Sequence, residues 1–407
     1  MERVQLEQLV AATGSAEQHG GFTFMVDPYW TPAQRKEYAQ MQKSVAGDCD
    51  PGPASPRPAT SQAKIAQGWL CLPTGGSSGK VRFARHDEMT LYAAVQGFCT
   101  HFGLLQVNTV DVLPPWHVSG LMARVRSAAT GGQHLAWDWK RLENGEHPSL
   151  TDKDSWVISL VPTQLQRLLE QPAAVAWLRQ MKIILIGGGP MWPTLAAAAQ
   201  SANLPIVICY GMTETAAMIT AQLPGEFSRG DRSSGLPMPH ARIGILADDS
   251  TSALHQGETG IVGISGASVM RGYFGGPPCG GSHVTADLGF MDSGGRLHLA
   301  GRRDEIVITG GEKVNPREVE AALRATGRFS DLAVVAVPHA EWGQELLACY
   351  PAGQELSQTE IGSLLAGLNL SRQQRPKRFL AFAYEQWPRN AQGKLNRAAL
   401  REAVLAR

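Results

Sequence analysis

The chain has 407 residues, too many for one ordinary hydrophobic core, so a large domain with a smaller partner is expected. Its 43% hydrophobic and 18% charged residues describe a soluble globular protein, and a net charge of +1 leaves no basic footprint for nucleic acid or an anionic membrane. The six cysteines (Cys49, Cys71, Cys99, Cys209, Cys279 and Cys349) form no Cys-x-x-Cys pair, which argues against a metal knuckle or a redox motif. Free thiols, no basic-then-apolar start and no run near the ~20 apolar residues of a membrane span together predict a cytoplasmic protein.

In chain order, an N-terminal helical portion is expected first. The run Asp50-Pro51-Gly52-Pro53-Ala54-Ser55-Pro56-Arg57-Pro58, unable to hold a helix or a central strand, then sets it apart as an exposed loop. Trp156 to Val161 reads as a strand and Pro162 to Leu169 as the start of a helix, with proline in a first turn where its missing N–H is no loss. Ile183 to Ile186 is a second strand, closed by Gly187-Gly188-Gly189-Pro190; an Ala-rich helix and the strand Ile206 to Cys209 follow. This alternation predicts a mostly parallel, helix-covered sheet. After about Pro237 short strands with Gly and Asp turns predict a small β section, and Gly275 to Gly281 a second exposed loop. Past Arg303 a compact α+β unit is expected, with a helix from Pro316 to Leu323, a strand from Leu332 to Val337 and a terminal helix.

Four segments carry chemistry. Thr74-Gly75-Gly76-Ser77-Ser78-Gly79-Lys80 follows an apolar run; its small residues let backbone N–H groups crowd phosphate oxygens, while hydroxyls and a cation add donors. It is not a Walker loop, since Gly75 and Gly79 are too close and Val81 stands where Ser or Thr is required. Tyr210-Gly211-Met212-Thr213-Glu214 lies at the carboxyl end of a predicted strand, where α/β sheets place ligands. A tyrosine face can stack on a purine, a threonine hydroxyl can reach a phosphate and a carboxylate can hold Mg²⁺. Asp287 and Arg302 bracket a hairpin-like stretch and suit the hydroxyls of a ribose. Lys394 sits on a glycine-hinged loop before the last helix. Each has a plainer reading alone: a flexible turn, a strand-end turn with a solvated Glu214, a surface ion pair. His117, in Pro114-Pro115-Trp116-His117-Val118-Ser119-Gly120, is either a gate to a pocket or a packed, hydrogen-bonded side chain.

Taken together these residues resemble the adenylate-forming superfamily of acyl-CoA synthetases, luciferases and peptide-synthetase adenylation domains, from about Leu70 to Arg397. Within it the likeness is to the o-succinylbenzoate–CoA ligases of menaquinone and phylloquinone biosynthesis, particularly the cyanobacterial type. Pro73 to Ala84, His117 to Met122, Val161 to Leu169, Gly187 to Pro190 and the Tyr210 loop carry the narrower match.

The resemblance implies an α/β fold. A large domain (1–302) would hold helix-covered, mostly parallel sheets, a small β section and a shortened N-terminal subdomain. A small mobile α+β domain (303–407) would carry the catalytic lysine. Thr74, Gly75, Gly76, Ser77, Ser78, Gly79 and Lys80 would hold the β- and γ-phosphates of ATP. Gly188, Gly189, Tyr210 and Gly211 would line the adenine slot, Asp287 and Arg302 would meet the ribose, and Glu214 would hold Mg²⁺. Lys394, Thr213, Glu214 and His117 are the candidate catalytic residues. Asp304 is the expected hinge, Gly310 and Gly311 would edge the channel for coenzyme A, and Ser119, Gly120 and Leu121 would face the acyl group. The family's phosphate loop usually ends Lys-Pro-Lys, whereas here Lys80-Val81-Arg82 keeps the charge with a different geometry. The expected partners are an aromatic carboxylate, ATP and CoA, with no nucleic acid or membrane span and with room for a homodimer. Another aryl- or acyl-CoA ligase, a free-standing adenylating enzyme and a non-catalytic nucleotide binder are the alternative readings.

Overall fold

A computed structural model of the chain describes residues 2–47, 68–75, 81–151, 155–329, 331–352, 355–389 and 395–407. Its centre is a seven-stranded sheet in the order Leu236–Pro237, Ala217–Ala221, Ile206–Met212, Ile183–Ile186, Trp156–Leu160, Asn108–Asp111 and His134–Ala136. The last five run parallel and the first two antiparallel. Alternate side chains leave opposite faces, which a sheet covered on both sides requires. Trp156, Ile158, Ile184, Ile186, Ile206 and Ile208 pack with Leu165, Leu168 and Leu195 of the helices Pro162–Leu169 and Pro193–Ser201. Val157, Ile183, Leu185 and Val207 pack instead with Phe98 and Phe102 of the helix Glu88–Phe102. The chain thus forms the α/β architecture that its alternating runs predict.

A five-stranded sheet runs Ala16–His19, Phe22–Met25, Leu70–Gly75, Val81–His86 and Gly272–Tyr273. The helices Arg3–Ala11 and Pro32–Gly47 agree with the expected N-terminal helical portion, but its separation from the main fold needs correction. Residues 16–25 are a hairpin turning at Gly20 and Gly21, both at positive φ, and its second strand pairs in parallel with Leu70–Gly75. The beginning of the described chain is therefore built into the main fold. The proline-rich run 50–58 lies outside the described residues.

The predicted β section is a four-stranded antiparallel sheet of Ala241–Leu246, Gly260–Gly266, Ser282–Met291 and Leu297–Arg302. Beyond it, the strands Ala333–His339, Gly343–Pro351 and Arg378–Phe382 form a sheet. The helices Pro316–Ala325 and Gln358–Ala366 pack on one of its faces and the helix Arg397–Leu405 on the other. The first of these helices starts as its sequence dictates: Pro316 occupies the first turn and the Asn315 side chain accepts the Arg317 N–H at 3.0 Å. No helix among the described residues is long and apolar enough to cross a membrane.

Candidate active site

The Gly187–Gly189 and Tyr210 motifs follow or end adjacent parallel strands of the central sheet at their carboxyl ends, where α/β sheets place ligands. Tyr210, Gly211 and Met212 lie at the carboxyl end of the predicted strand, which runs three residues past Cys209 so that they form the last rungs of Ile206–Met212. Gly211 makes this close pairing feasible, because a Cβ there would lie 1.9 Å from the Ala217 carbonyl oxygen. The reversal falls on Thr213–Ala216, where Ala216 and Ala217 both take positive φ, 52° and 78°, against the preference of residues with a Cβ. What holds the strain is local bonding. The Thr215 hydroxyl accepts the Met212 N–H at 3.0 Å and donates to the Ala217 carbonyl at 2.7 Å.

Glu214 projects from this turn, only 8% exposed. Its Oε1 accepts the Tyr273 hydroxyl at 2.7 Å, and its backbone carbonyl accepts the Met270 N–H at 2.8 Å. Burial and the neighbouring carboxylate push the Tyr273 phenol up, so it stays a donor. The Arg82 guanidinium lies over the Tyr273 ring, 4.6 Å from its centroid. The departure from Lys-Pro-Lys therefore places a stacking cation against the residue that holds Glu214. Thr213 contacts the Pro73 carbonyl at 3.5 Å. Thr74 pairs with Arg82 across the hairpin, and its buried Oγ1 has no partner among the described residues. Gly76, Ser77, Ser78, Gly79 and Lys80 lie outside them.

A second cluster lies on the neighbouring sheet. Strand register sets Asp287 opposite Arg302. The Tyr210 hydroxyl donates to Asp287 Oδ2 at 2.5 Å and Arg302 Nη1 donates to Oδ1 at 3.0 Å. Burial and the nearby Asp287 charge push the Tyr210 phenol up. The same guanidinium grips Asp304 with two bonds of 2.9 Å, and those bonds, with Asp287, raise the Arg302 pKa. Tyr210 itself is sunk in an apolar cluster with Ile219, Val262 and Ile264. Gly188, at φ 74°, and Gly189 close the neighbouring strand and run past Val161 and Pro162.

The remaining predicted residues are placed as follows. His117 caps the helix Val118–Thr130, its backbone N–H on the Pro114 carbonyl at 3.1 Å and its Nε2 3.9 Å from Asp27. Ser119 is half-buried, Gly120 presses on the Leu113 and Pro114 carbonyls, and Leu121 is enclosed with Leu6, Trp69 and Leu91. Gly310 and Gly311 form a two-residue turn at φ 55° and 82°, with the Gly310 N–H on the Trp342 carbonyl at 3.1 Å. Lys394 lies outside the described residues. Its flanks are anchored: Arg389 pairs with the buried Asp331 at 2.5 Å, and Arg397 pairs with Glu320 at 2.6 Å.

One residue here has no sequence signal of its own. His86, wholly enclosed, sits beneath the turn with Nε2 2.8 Å from the Thr213 carbonyl, and burial lowers its pKa to about 4. Asp87 beside it caps the helix Glu88–Phe102 and pairs with Arg271 at 2.6 Å and 3.1 Å. The capping pattern of Asp87 and Thr90 was the readable hint that strand gives way to helix at this point.

Comparison with known proteins agrees with this arrangement. The chain is 28% identical over 344 residues to a 2-succinylbenzoate–CoA ligase of Enterococcus faecalis, spanning 82% of this chain and 70% of that one. It is 30% identical over 344 residues to the ligase of the same name from Geobacillus kaustophilus, spanning 81% and 68%. Among solved structures, o-succinylbenzoate CoA synthetase (MenE) from Bacillus subtilis, in complex with the acyl-adenylate intermediate OSB-AMP, superposes with a TM-score of 0.69 at 25% identity. That match covers 96% of this chain and 79% of that one. ATP-bound MatB from Rhodopseudomonas palustris shares the fold at a TM-score of 0.72 and 22% identity, over 98% and 81%. The family model described as AMP-binding enzyme matches residues 7–274, well over half of the chain, and the protein belongs to that family.

Proposed function

We propose that this protein is an AMP-forming acid–CoA ligase that converts o-succinylbenzoate to o-succinylbenzoyl-CoA, a step of menaquinone or phylloquinone synthesis. The observation that carries the reading is the convergence of two bonded clusters, Glu214–Tyr273 and Tyr210–Asp287–Arg302, on the carboxyl edge of the central sheet. They flank the hairpin that encloses residues 76–80. The relatives named for this activity supply the substrate.

A carboxylate is a poor acyl donor because oxide would have to leave. Its attack on the α-phosphorus of ATP forms an acyl adenylate and releases pyrophosphate; the thiolate of CoA then attacks the carbonyl and AMP departs. Thr74 to Lys80 would hold the outer phosphates, and the buried Thr74 hydroxyl, which has no partner among the described residues, suits that task. Gly188, Gly189, Tyr210 and Gly211 would line the adenine, with Asp287 toward the ribose. Both Asp287 oxygens already accept protein donors, so a ribose hydroxyl would use their remaining lone pairs. Thr213 would meet the α-phosphate and Lys394 the charge that develops on it. Glu214 fits Mg²⁺, a cation that takes one or two carboxylates together with substrate phosphates: Tyr273 holds Oε1 and no described residue donates to Oε2. Bound there, the ion would offset phosphate charge. Ser119 and Gly120 belong to the acyl side with His117 as its gate, while the enclosed Leu121 would act by shaping that wall. The small domain (303–407) would turn about Asp304 between half-reactions, exchanging Lys394 for the Gly310–Gly311 edge of the CoA channel. The free thiols of Cys71, Cys99, Cys209, Cys279 and Cys349 suit a cytoplasmic enzyme, and the reading allows a homodimer.

The test is pyrophosphate release from ATP, Mg²⁺ and o-succinylbenzoate, with and without CoA. Acid-dependent release is expected, with AMP and thioester once CoA is present, and Lys394→Ala should lower it by ~10²–10³. Release with other benzoates or with amino acids, but not with this acid, would keep the chemistry and overturn the substrate. Silence with every acid despite ATP binding would leave a non-catalytic nucleotide binder.

A further inference from the structure

The loop that carries Thr213 and Glu214 is strained, with two successive non-glycine residues at positive φ, and it bears the side chains proposed for the α-phosphate and for Mg²⁺. Something must hold it when no nucleotide is bound. Three of its groups are fastened by partners already described: the Glu214 carboxylate by Tyr273, the Glu214 carbonyl by Met270 and the Thr215 hydroxyl by its own strand. The fourth is the Thr213 carbonyl, which accepts the Ala216 N–H within the turn at 3.2 Å and, from outside the turn, meets His86 Nε2 at 2.8 Å.

A carbonyl oxygen only accepts, so Nε2 must carry the ring proton. Nδ1 then needs a donor, and the Thr90 hydroxyl lies 3.1 Å away. That hydroxyl is also 2.9 Å from the Asp87 carbonyl, which takes the Leu91 N–H too, so its one proton is within reach of both the carbonyl and Nδ1, and it is the donor that Nδ1 has at hand. The imidazole is thus fixed at both nitrogens inside a shell 0% exposed. The charged groups around it are Asp87, Glu214 and Arg271. The chain linking Thr90, His86 and Thr213 ties the start of the helix Glu88–Phe102 and the end of the strand Val81–His86 to the turn 127 positions further on.

We infer that His86, held by Thr90 as its Nε2–H tautomer, is a positioning residue that keeps the Thr213–Glu214 turn in its nucleotide-binding shape before any ligand arrives. The inference rests on the functional reading above for what the turn binds, but not for the bracing itself. A preformed turn spares nucleotide binding the ordering of a strained segment, so loss of the brace should show in the KM for ATP before it shows in kcat.

The experiment uses the full chain without nucleotide. Hydrogen exchange of the amides of residues 212–217 is compared in wild type, His86→Leu and His86→Gln; glutamine places an N–H donor near the Nε2 position and leucine places none. A ¹⁵N spectrum of wild type assigns the ring proton. The expected result is a proton on Nε2, exchange about tenfold or more faster in H86L, and protection largely restored in H86Q. Assayed with ATP and magnesium chloride, H86L should raise the KM for ATP by a similar factor with a smaller change in kcat. A proton on Nδ1, unchanged exchange in H86L, or exchange in H86Q as fast as in H86L would overturn the assignment. Should H86L not fold, Thr90→Val replaces it: it leaves Nδ1 without a donor and should loosen the same amides, and unchanged exchange there would overturn the assignment equally. Wild type that binds no ATP, together with the expected exchange pattern, would overturn the functional reading and leave the brace standing.

Discussion

Two parts of the candidate site are built on opposite plans. The turn Thr213–Ala216 is held through backbone and side chain by buried partners drawn from strands and a helix start far away in sequence. The segment from Arg302 to Gly311 carries one exposed clamp beside its half-buried Arg317–Glu305 pair: Arg302 and Asp304 bond with side chains 38% and 37% exposed, and the double-glycine turn lies just beyond. Buried bonds are costly to break because each leaves an unsatisfied group, whereas exposed ion pairs exchange with water at little cost. The contrast is between a turn tied down by many bonds and a segment whose exposed pair would exchange partners if the small domain turns as proposed.

The largest effect is expected at the rigid end. Gly211→Ala would drive a Cβ against the Ala217 backbone and should destabilise the protein by about 3 kcal/mol, read as a fall in the denaturant midpoint. Wild-type stability in that variant would mean that the strand pairing yields easily. Tyr273→Phe frees Glu214 Oε1 and should weaken MgATP binding about tenfold or more by calorimetry, with little change in melting temperature.

Acid tests the same buried frame. Burial lowers His86 to about 4, below the ordinary value near 6.5, and does the same to the half-buried His240 just before the strand Ala241–Leu246, so folding favours their neutral forms. That contribution is complete above pH 6.5 and drains away as the pH falls through 4, because the unfolded chain then binds more protons. Unfolding midpoints at pH 7.5, 6 and 5 should decline, and the first loss should precede the titration of ordinary carboxylates. Constant midpoints over that range would show the histidines to be solvated.

The smallest effect should come at the exposed end. Asp304→Ala should cost under about 1 kcal/mol of stability. Asp304→Pro should slow thioester formation while pyrophosphate release with the acid alone proceeds; equal slowing of both would move the hinge elsewhere.

What could be read from the sequence follows the range of the interactions. The strands Trp156–Leu160 and Ile183–Ile186 were legible because each is an apolar run followed by a proline or glycine signal, and the Asp287–Arg302 pair because its two members flank one hairpin. The hairpin of residues 16–25 was missed although Gly20-Gly21 marks its turn, since its edge strand is polar and short. In the sequence the strand reads only as far as Cys209, because its continuation to Met212 depends on a positive φ at Ala216 and Ala217, which alanine does not advertise. His86 was illegible for a deeper reason. Its partner is a backbone carbonyl, and every residue has one.

The fifth strand of the sheet that holds the Thr74 hairpin is Gly272–Tyr273, and it pairs with Arg85 and Ala84. A chain emerging from the ribosome can thus pair Leu70–Gly75 with Val81–His86 early, but it cannot seat Tyr273 on Glu214 until some two hundred further residues have appeared. Contacts of such long sequence separation form slowly, after local structure. Nascent fragments should therefore lack nucleotide affinity through most of synthesis, and competence for ATP should arise abruptly, late, and together with the closing of that sheet.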